Sequence, residues 1–491
     1  MKRFITLSLL FALIASATAK DSRPNIVWIV IEDMSTHFSC YGEKTISTPH
    51  IDKLASEGSL FTKAYVTAPV CSTARSAMIT GMYQTSIGAH QHRSGRGELK
   101  ITLSKPVVPV PVLFRKAGYH TSNTGWPSRK GRLGKTDYNF EWPKEMYDGT
   151  DWSKRKPGQP FFAQLMLIGG KMSGANAEGF AKMATKAKEI LGQATARSKV
   201  TVPPYYPRDE TILQHWASYL DAVRVTDHQI GEIVARLKKE GVYENTIIVL
   251  ITDHGISHAR GKQFCYEEGM HIPFIASGPG IPANKRRTDL IEHIDMAALS
   301  LAAAGIDIPK WMQARDIFAP DYQLRKYAFS ARDRCDETVE RIRAVRSDRY
   351  KYIRNFHPKR PHLQPCAYKD NKAILIALSR LHEAGQLDEH QDRIFTPTRP
   401  EEELYDLQKD KWELNNLADD PKHAKTLKRH RAALNKWIKR SGDQGETPES
   451  EAMYDSDMAV YLNTIKKKIP ERAIEIQANI DTMKRWAKEG K

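Results

Sequence analysis

Two stretches of this chain are apolar almost without a break, and each ends in acidic residues. PNIVWIVIEDMS, from Pro24, runs into Glu32 and Asp33, and NTIIVLITDHG, from Asn245, runs into Asp253 and His254. A strand exposed on one face alternates apolar and polar residues, whereas a strand covered on both faces stays apolar throughout. The two runs therefore predict strands inside a sheet with helices on both sides. Helical stretches fall where that requires them: HWASYLDAVRVTDHQIGEIVARLKKEG precedes the second run, and another helix follows around IEHIDMAALSLAAAG. The expected fold is α/β, with a large, mixed, mostly parallel central sheet flanked by helices.

Ligands of such folds collect beyond the carboxyl ends of the strands, so the two acidic endings are expected to meet. Carboxylates brought together repel unless a cation holds them, and oxygen donors without thiolates favour a hard ion. Glu32, Asp33 and Asp253 are the candidate ligands for Ca2+ or Mg2+, with His254 either a fourth donor or a group that orients a nucleophile. The plainer alternative for these acids is helix capping or pairing with nearby lysines.

A second constellation, VCSTAR, holds Cys71 and Arg75 just ahead of SAMITGMYQTSIGAH, which reads as a helix beginning near Ser72 or Thr73. The first turn of a helix offers unpaired N–H groups that favour negative charge. Arg75, one turn on, would face the same spot, forming an anion cradle around a nucleophile. Three readings of Cys71 follow from the residues: a buried structural cysteine, a low-pKa thiolate nucleophile, or the precursor of another group.

The chain opens MKRFITLSLLFALIASATAKD, a basic start, a short apolar core and the small-residue site Ala17-Thr18-Ala19. That is the pattern of a cleaved signal peptide, too short to span a membrane, and it implies a secreted or periplasmic protein with no stable membrane insertion. The formal charge of +17 falls only to +15 once Lys2 and Arg3 are removed, which suits a polyanionic partner. Export, and the lack of a nucleic-acid-binding motif, exclude nucleic acid. Five cysteines (Cys40, Cys71, Cys265, Cys335, Cys366) make no disulfide scaffold, although one pair, such as Cys335 with Cys366, is left open.

HIPFIASGPG reads as a further strand and turn, and the character of the chain changes near residue 320. RIRAVRSDRYKYIRNF has the look of an antiparallel hairpin, and EEELYDLQKDKWELNNLADDPKHAKTLKRHRAALNKWIKR of a turn-rich link into an amphipathic helix. The expected organisation is a signal peptide over 1–19, an α/β catalytic domain over 20–320, a subdomain with a small antiparallel sheet and helix over 321–445, and a helical extension over 446–491. Nothing in the sequence bears on oligomeric state.

Taken in order with STPHIDKLASEGSLFTKAYVTAPVCSTARSAMITG, KAGYHTSNTG, GKTDYNF, KPGQPFFAQL and DHGISHARGKQFCYEEGMHIPFI, these motifs resemble the type I, formylglycine-dependent sulfatases of the alkaline-phosphatase-like superfamily. The resemblance runs from about Pro24 to residue 445 and sits closer to bacterial glycan sulfatases than to lysosomal arylsulfatases. It implies that a maturation system oxidises Cys71 to Cα-formylglycine. One hydroxyl of the hydrated aldehyde would attack sulfur to give a covalent sulfate, and the other would expel it. The family pattern is C-x-(P or A)-x-R, and Thr73 departs from it. The implied metal set is Glu32, Asp33, Asp253 and His254, with Glu and His where Asp and Asn are common. The resemblance makes Arg75 a neutralising group, Lys262 in RGK the sulfate-binding lysine and Lys135 the lysine of GK-x-H, with Asp137 at the histidine position.

In PFFAQLMLIGGKMSG, Ile168 and Lys171 stand where many relatives have the histidines of HDPH, which leaves Lys171 and His258 as candidates for leaving-group chemistry. His90 and His92 are candidates for the substrate pocket, and Arg332, Arg334, Arg343 and His357 for a cleft mouth that reads neighbouring sulfates or carboxylates. The function implied is an exported sulfatase acting on a sulfated polysaccharide or its oligosaccharides, with marine galactans such as carrageenan and glycosaminoglycans both consistent. The alternatives are a phosphoester or phosphonate monoester hydrolase of the same superfamily and a non-catalytic sulfated-glycan-binding relative.

Overall fold

A computed structural model describes residues 23–491; the signal peptide expected over 1–19 lies outside the described residues. The first apolar run is β1 (Asn25–Ile31). It is followed by β2 (Gly58–Tyr65), β3 (His120–Thr124), β4 (Phe161–Leu167), β5 (Thr246–Thr252), β6 (His271–Ser277), β7 (Lys285–Arg287) and β8 (Ile291–Glu292). These strands form one sheet in the order β3-β4-β1-β5-β6-β2-β7, with β8 also paired to β2. β1 is parallel to both β4 and β5, and β6 is antiparallel to both β5 and β2. The sheet is therefore mixed, with a parallel centre, as the two apolar runs imply.

The reason those runs lack polar residues is visible in the packing. Ile26, Trp28 and Val30 of β1 enter one core, with Val249 and Phe162, while Val27, Ile29 and Ile31 enter the other, with Leu250 and Leu165. Every side chain of the central strand is thus covered, on alternate faces. The second core contains the long helix Glu210–Lys239, whose first turn is capped by Asp209 accepting from Thr211 N and Ile212 N.

A second sheet is wholly antiparallel: β9 (Ala328–Arg332), β10 (Ile342–Arg346), β11 (Tyr350–Asn355) and β12 (Glu402–Asp406), in the order β12-β11-β10-β9. The predicted hairpin is β10–β11. Ala344, Tyr352 and Trp437 belong to the same core as Trp28, so the smaller sheet continues the packing of the larger one. Beyond the helix Ala424–Ser441, the helices Glu451–Lys466 and Pro470–Lys488 pack Met458, Ile476 and Ile480 around Ala367. Among the described residues no helix is long and apolar enough to cross a membrane.

Because Ile29 is fully buried at the sheet centre whereas Ile474 is 75% exposed, equal truncations should differ sharply. In urea denaturation, Ile29→Ala is expected to destabilise the fold by about 2–5 kcal/mol, and Ile474→Ala by no more than about 0.5 kcal/mol.

Candidate active site

The pairing of β1 with β5 ends at Ile31 opposite Thr252, so the acids that follow each strand emerge side by side. Asp33 turns into the left-handed region (φ 55°) and donates its backbone N–H to Asp253 Oδ1 at 3.0 Å. The loop after β4 closes in from the other side, where Gly170 N donates to Glu32 O at 2.7 Å. A Cβ on Gly169 would lie 2.3 Å from Glu32 O, and one on Gly170 2.1 Å from Asp33 O. Only glycine permits that approach, and it delivers the next residue, Lys171, onto the acids.

Cys71 is the first residue of the helix Cys71–Thr80 and is 2% exposed. The helix is shorter than the sequence suggests. Gly81, in the left-handed region at φ 65°, ends it, and the residues beyond form turns. Around the Cys71 thiol, Lys262 Nζ stands at 2.9 Å, His254 Nε2 at 3.1 Å, Asp33 Oδ1 at 3.8 Å and Lys171 Nζ at 3.9 Å. Burial opposes ionisation of this thiol, but Lys135, Lys171, Lys262 and His254 outweigh it and lower its pKa to about 6. The position is built for an anion.

Four acids and four fixed cations interlock here. Lys171 and Lys135 both bind Glu32 Oε2, the latter at 3.1 Å, and Lys135 also reaches Asp137 at 3.2 Å. Lys262 lies 3.5 Å from Asp33. Burial alone would raise the acids, yet the surrounding cations hold Glu32 below, and Asp33 and Asp137 well below, the usual carboxylate range. Burial likewise disfavours the charged His254, but Asp253, Cys71 and Asp33 raise its pKa to about 10. Its Nδ1 faces Gly255 O at 2.8 Å, leaving Nε2 toward Asp33 and Cys71.

Asp33, Asp253 and His254 each offer a donor atom close to the others. Asp33 Oδ2 is buried without a hydrogen-bond partner, and Glu32 adds a third carboxylate at the same strand ends. This donor set, oxygen-rich with one imidazole, fits a hard divalent cation.

Arg75 departs from its expected place beside the nucleophile. Its Nη2 and Nε hold Asp253 Oδ2 at 2.9 and 3.1 Å, its Nη1 donates to Lys135 O at 3.1 Å, and it is fully buried. It therefore fixes a carboxylate and the Lys135 loop. His258 lines a cavity that also touches Asp33 and Lys171, packed among His215, Trp216 and Tyr219. Burial holds it well below the ordinary histidine range, and neither ring nitrogen has a partner.

The remaining candidates sit elsewhere. His92 is buried behind the helix, its Nδ1 accepting from Ser72 Oγ at 2.6 Å, and buried His90 lies near Arg343 and Asp443. The three arginines expected at a cleft mouth are inside the protein. Arg343 pairs with Asp333 and Asp443, Arg334 with Glu449 and Asp457, and Arg332 with Glu340. Their partners come from the loop after β9 (Asp333, Glu340), the turn after helix Ala424–Ser441 (Asp443) and the C-terminal extension (Glu449, Asp457), so these ion pairs tie the small sheet to the chain that follows it. His357 is half-buried beside Glu340 and Arg360, with burial lowering its pKa to about 4. Cys335 and Cys366 are free thiols, both accepting from Gln263 Nε2. The sequence reading missed Tyr368 and Lys372, whose ring and ammonium stack at 4.6 Å beside Lys262; no motif marks them.

Comparison with known proteins agrees with this geometry. Residues 24–306 match the family model described as Sulfatase, and residues 254–362 match that of N-sulphoglucosamine sulphohydrolase, C-terminal. An ulvan-active sulfatase of Formosa agariphila is 32% identical over 468 residues, covering 87% of this chain and 77% of the relative. A solved structure in complex with its substrate D-glucosamine-2-N,6-O-disulfate superposes with a TM-score of 0.60 at 19% identity, covering 86% of this chain and 98% of the other. A phosphonate monoester hydrolase from Silicibacter pomeroyi superposes with a TM-score of 0.57 at 18% identity, covering 86% and 96%. The last two show the fold alone; the family model and the ulvan-active relative carry the assignment. The chain belongs to the type I sulfatases of the alkaline-phosphatase-like superfamily and is a sulfuric ester hydrolase.

Proposed function

We propose that the protein is exported and removes sulfate from a sulfated polysaccharide or its oligosaccharides, with Cys71 converted to formylglycine and one divalent cation held by Glu32, Asp33, Asp253 and His254. The observation that carries this reading is the cage around Cys71, in which Lys262 and His254 stand about one hydrogen bond from the side chain at a helix N-terminus. The ulvan-active relative and the net charge of +17 support a polyanionic glycan, and the leader-like first residues support export.

When bound, the cation and the aldehyde hydrate supply charge neutralisation and a nucleophile with two hydroxyls. The chain's own residues do the rest. Lys262, Lys135 and Lys171 present ammonium groups to the sulfate oxygens without having to move, so developing charge meets fixed donors. Arg75 keeps Asp253 in place through its Nε and Nη2. Lys171 donates the proton to the departing sugar oxygen. It is the cation that reaches both Glu32 and the Cys71 side chain from the loop after β4, whereas burial disfavours the charged form that His258 would need to give up a proton. A phosphonate or phosphate ester hydrolase remains the second reading on fold, but the cysteine in its lysine cage favours sulfate.

Three outcomes are expected. Peptide mass spectrometry of protein made with a formylglycine-generating system should find residue 71 about 18 Da lighter than cysteine; unchanged thiol in all copies, in protein that cleaves sulfate esters, would rule out the aldehyde. Chelation should abolish turnover and added Ca2+ or Mg2+ restore it, read as sulfate release. Lys171→Ala should lower kcat on a sugar sulfate about 100- to 10,000-fold, as loss of a general acid does, yet cost an activated aryl sulfate far less, because its leaving group needs no proton.

A further inference from the structure

The cavity beside the reaction centre has a volume of about 370 Å³ and runs from Asp33 and Lys171 past His258 to Tyr368, Lys372 and Arg472. Its far end is cationic, lined by Lys372 and Arg472. Lys372 is only 9% exposed, and its ammonium donates to Ser257 O at 2.9 Å and Ser257 Oγ at 2.5 Å, leaving one of three protons free. Arg472 reaches over from the C-terminal helix Pro470–Lys488 and donates to Ala367 O, while its Nε is buried with no partner. Among the described residues neither group lies within ion-pair distance of a carboxylate, whereas Lys171 and Lys262 at the near end are each paired. Holding the Lys372 ammonium out of water without a partner anion is costly, and the half-buried Arg472 beside it has a sealed Nε without a partner, so the two together point to an anion from outside the chain.

The ring of Tyr368 ties this end to the sulfate site. Lys262 Nζ lies 4.8 Å from the ring centroid and Lys372 Nζ 4.6 Å from it, so both cations share one aromatic platform. His258, 2% exposed with both nitrogens unpartnered, lines the wall between them. A neutral imidazole can donate to one sugar hydroxyl and accept from another. The Lys262 and Lys372 ammonium groups are no farther apart than their two distances to the ring centroid added together, which is on the scale of a sugar residue.

We propose that Lys372 and Arg472, with Tyr368 as platform and His258 as hydroxyl partner, form a subsite for a second anionic group of the substrate, a carboxylate or a further sulfate next to the ester being cleaved. This rests on the sulfatase reading above and adds to it what the enzyme selects. The C-terminal extension thereby supplies part of the specificity.

The test compares Lys372→Met and Arg472→Gln with the wild type on four probes: an activated aryl sulfate, a monosulfated neutral disaccharide, a monosulfated disaccharide with a uronate, and a disulfated neutral disaccharide. Each variant should lose about 10- to 100-fold in kcat/KM on an anionic disaccharide, mainly through KM, the size of one charge-assisted hydrogen bond. It should stay within about twofold on the aryl sulfate and the neutral disaccharide, and Lys372→Arg should recover part of the loss. Whether the uronate or the disulfated probe is affected identifies the anion. Equal losses on all probes, or none on either anionic probe, would overturn the subsite. Calorimetric binding of the same disaccharides to the Cys71→Ser form keeps the two claims apart. A wild type that cleaves no probe counts against the sulfatase reading, while unchanged binding by Lys372→Met counts against the subsite.

Discussion

The parallel pairing of β1 with β5 is the constraint that everything else answers. It sets Asp33 against Asp253 in a buried place, where like charges interact strongly because little water screens them. The structure meets this with positive charge drawn from all over the chain: Arg75 from a helix, Lys135 and Lys171 from loops after β3 and β4, Lys262 from beyond β5. Each of those segments has to reach the same point. The glycine pair at 169 and 170 and the left-handed turn at Asp33 follow from that requirement.

The same logic explains why the smaller sheet is not a detachable module. Trp437 and Tyr352 share a core with Trp28, and buried Arg343 of β10 and Arg334 of the loop before it bind Asp443 and, in the C-terminal extension, Asp457. Asp457 of the extension accepts from the backbone of Gly95, Arg96 and Gly97 as well as from Arg334. Removing one partner of such a pair strands the other charge in a dry interior, so these contacts tie the extension to the body of the protein.

Much of this was legible in the sequence because it depends on local patterns. An unbroken apolar run ending in acids shows both its burial and the end at which it presents them, and the cysteine block carries its own helix start. The extent of the helix after Cys71 was less legible, since Gly81 reads as tolerable until its left-handed conformation is seen. Arg332, Arg334 and Arg343 were misread for a different reason. A run of basic residues looks like surface, and the anions that bury Arg334 and Arg343 lie mostly a hundred or more positions away, in Asp443, Glu449 and Asp457. Tyr368, Lys372 and Arg472 gave no signal at all, because a cavity wall assembled from two distant segments has no spacing to read.

Thr73 donates its hydroxyl to Val70 O at 2.9 Å and is, like Cys71, 2% exposed. In the folded protein both side chains sit at the bottom of the site, with little room around them for anything bulkier than the tip of a chain. An enzyme that alters Cys71 would find it far more accessible in an extended peptide than in the folded chain, and residue 73 would be read in that extended form. The yield of modified molecules would then depend on a race between chemistry and folding.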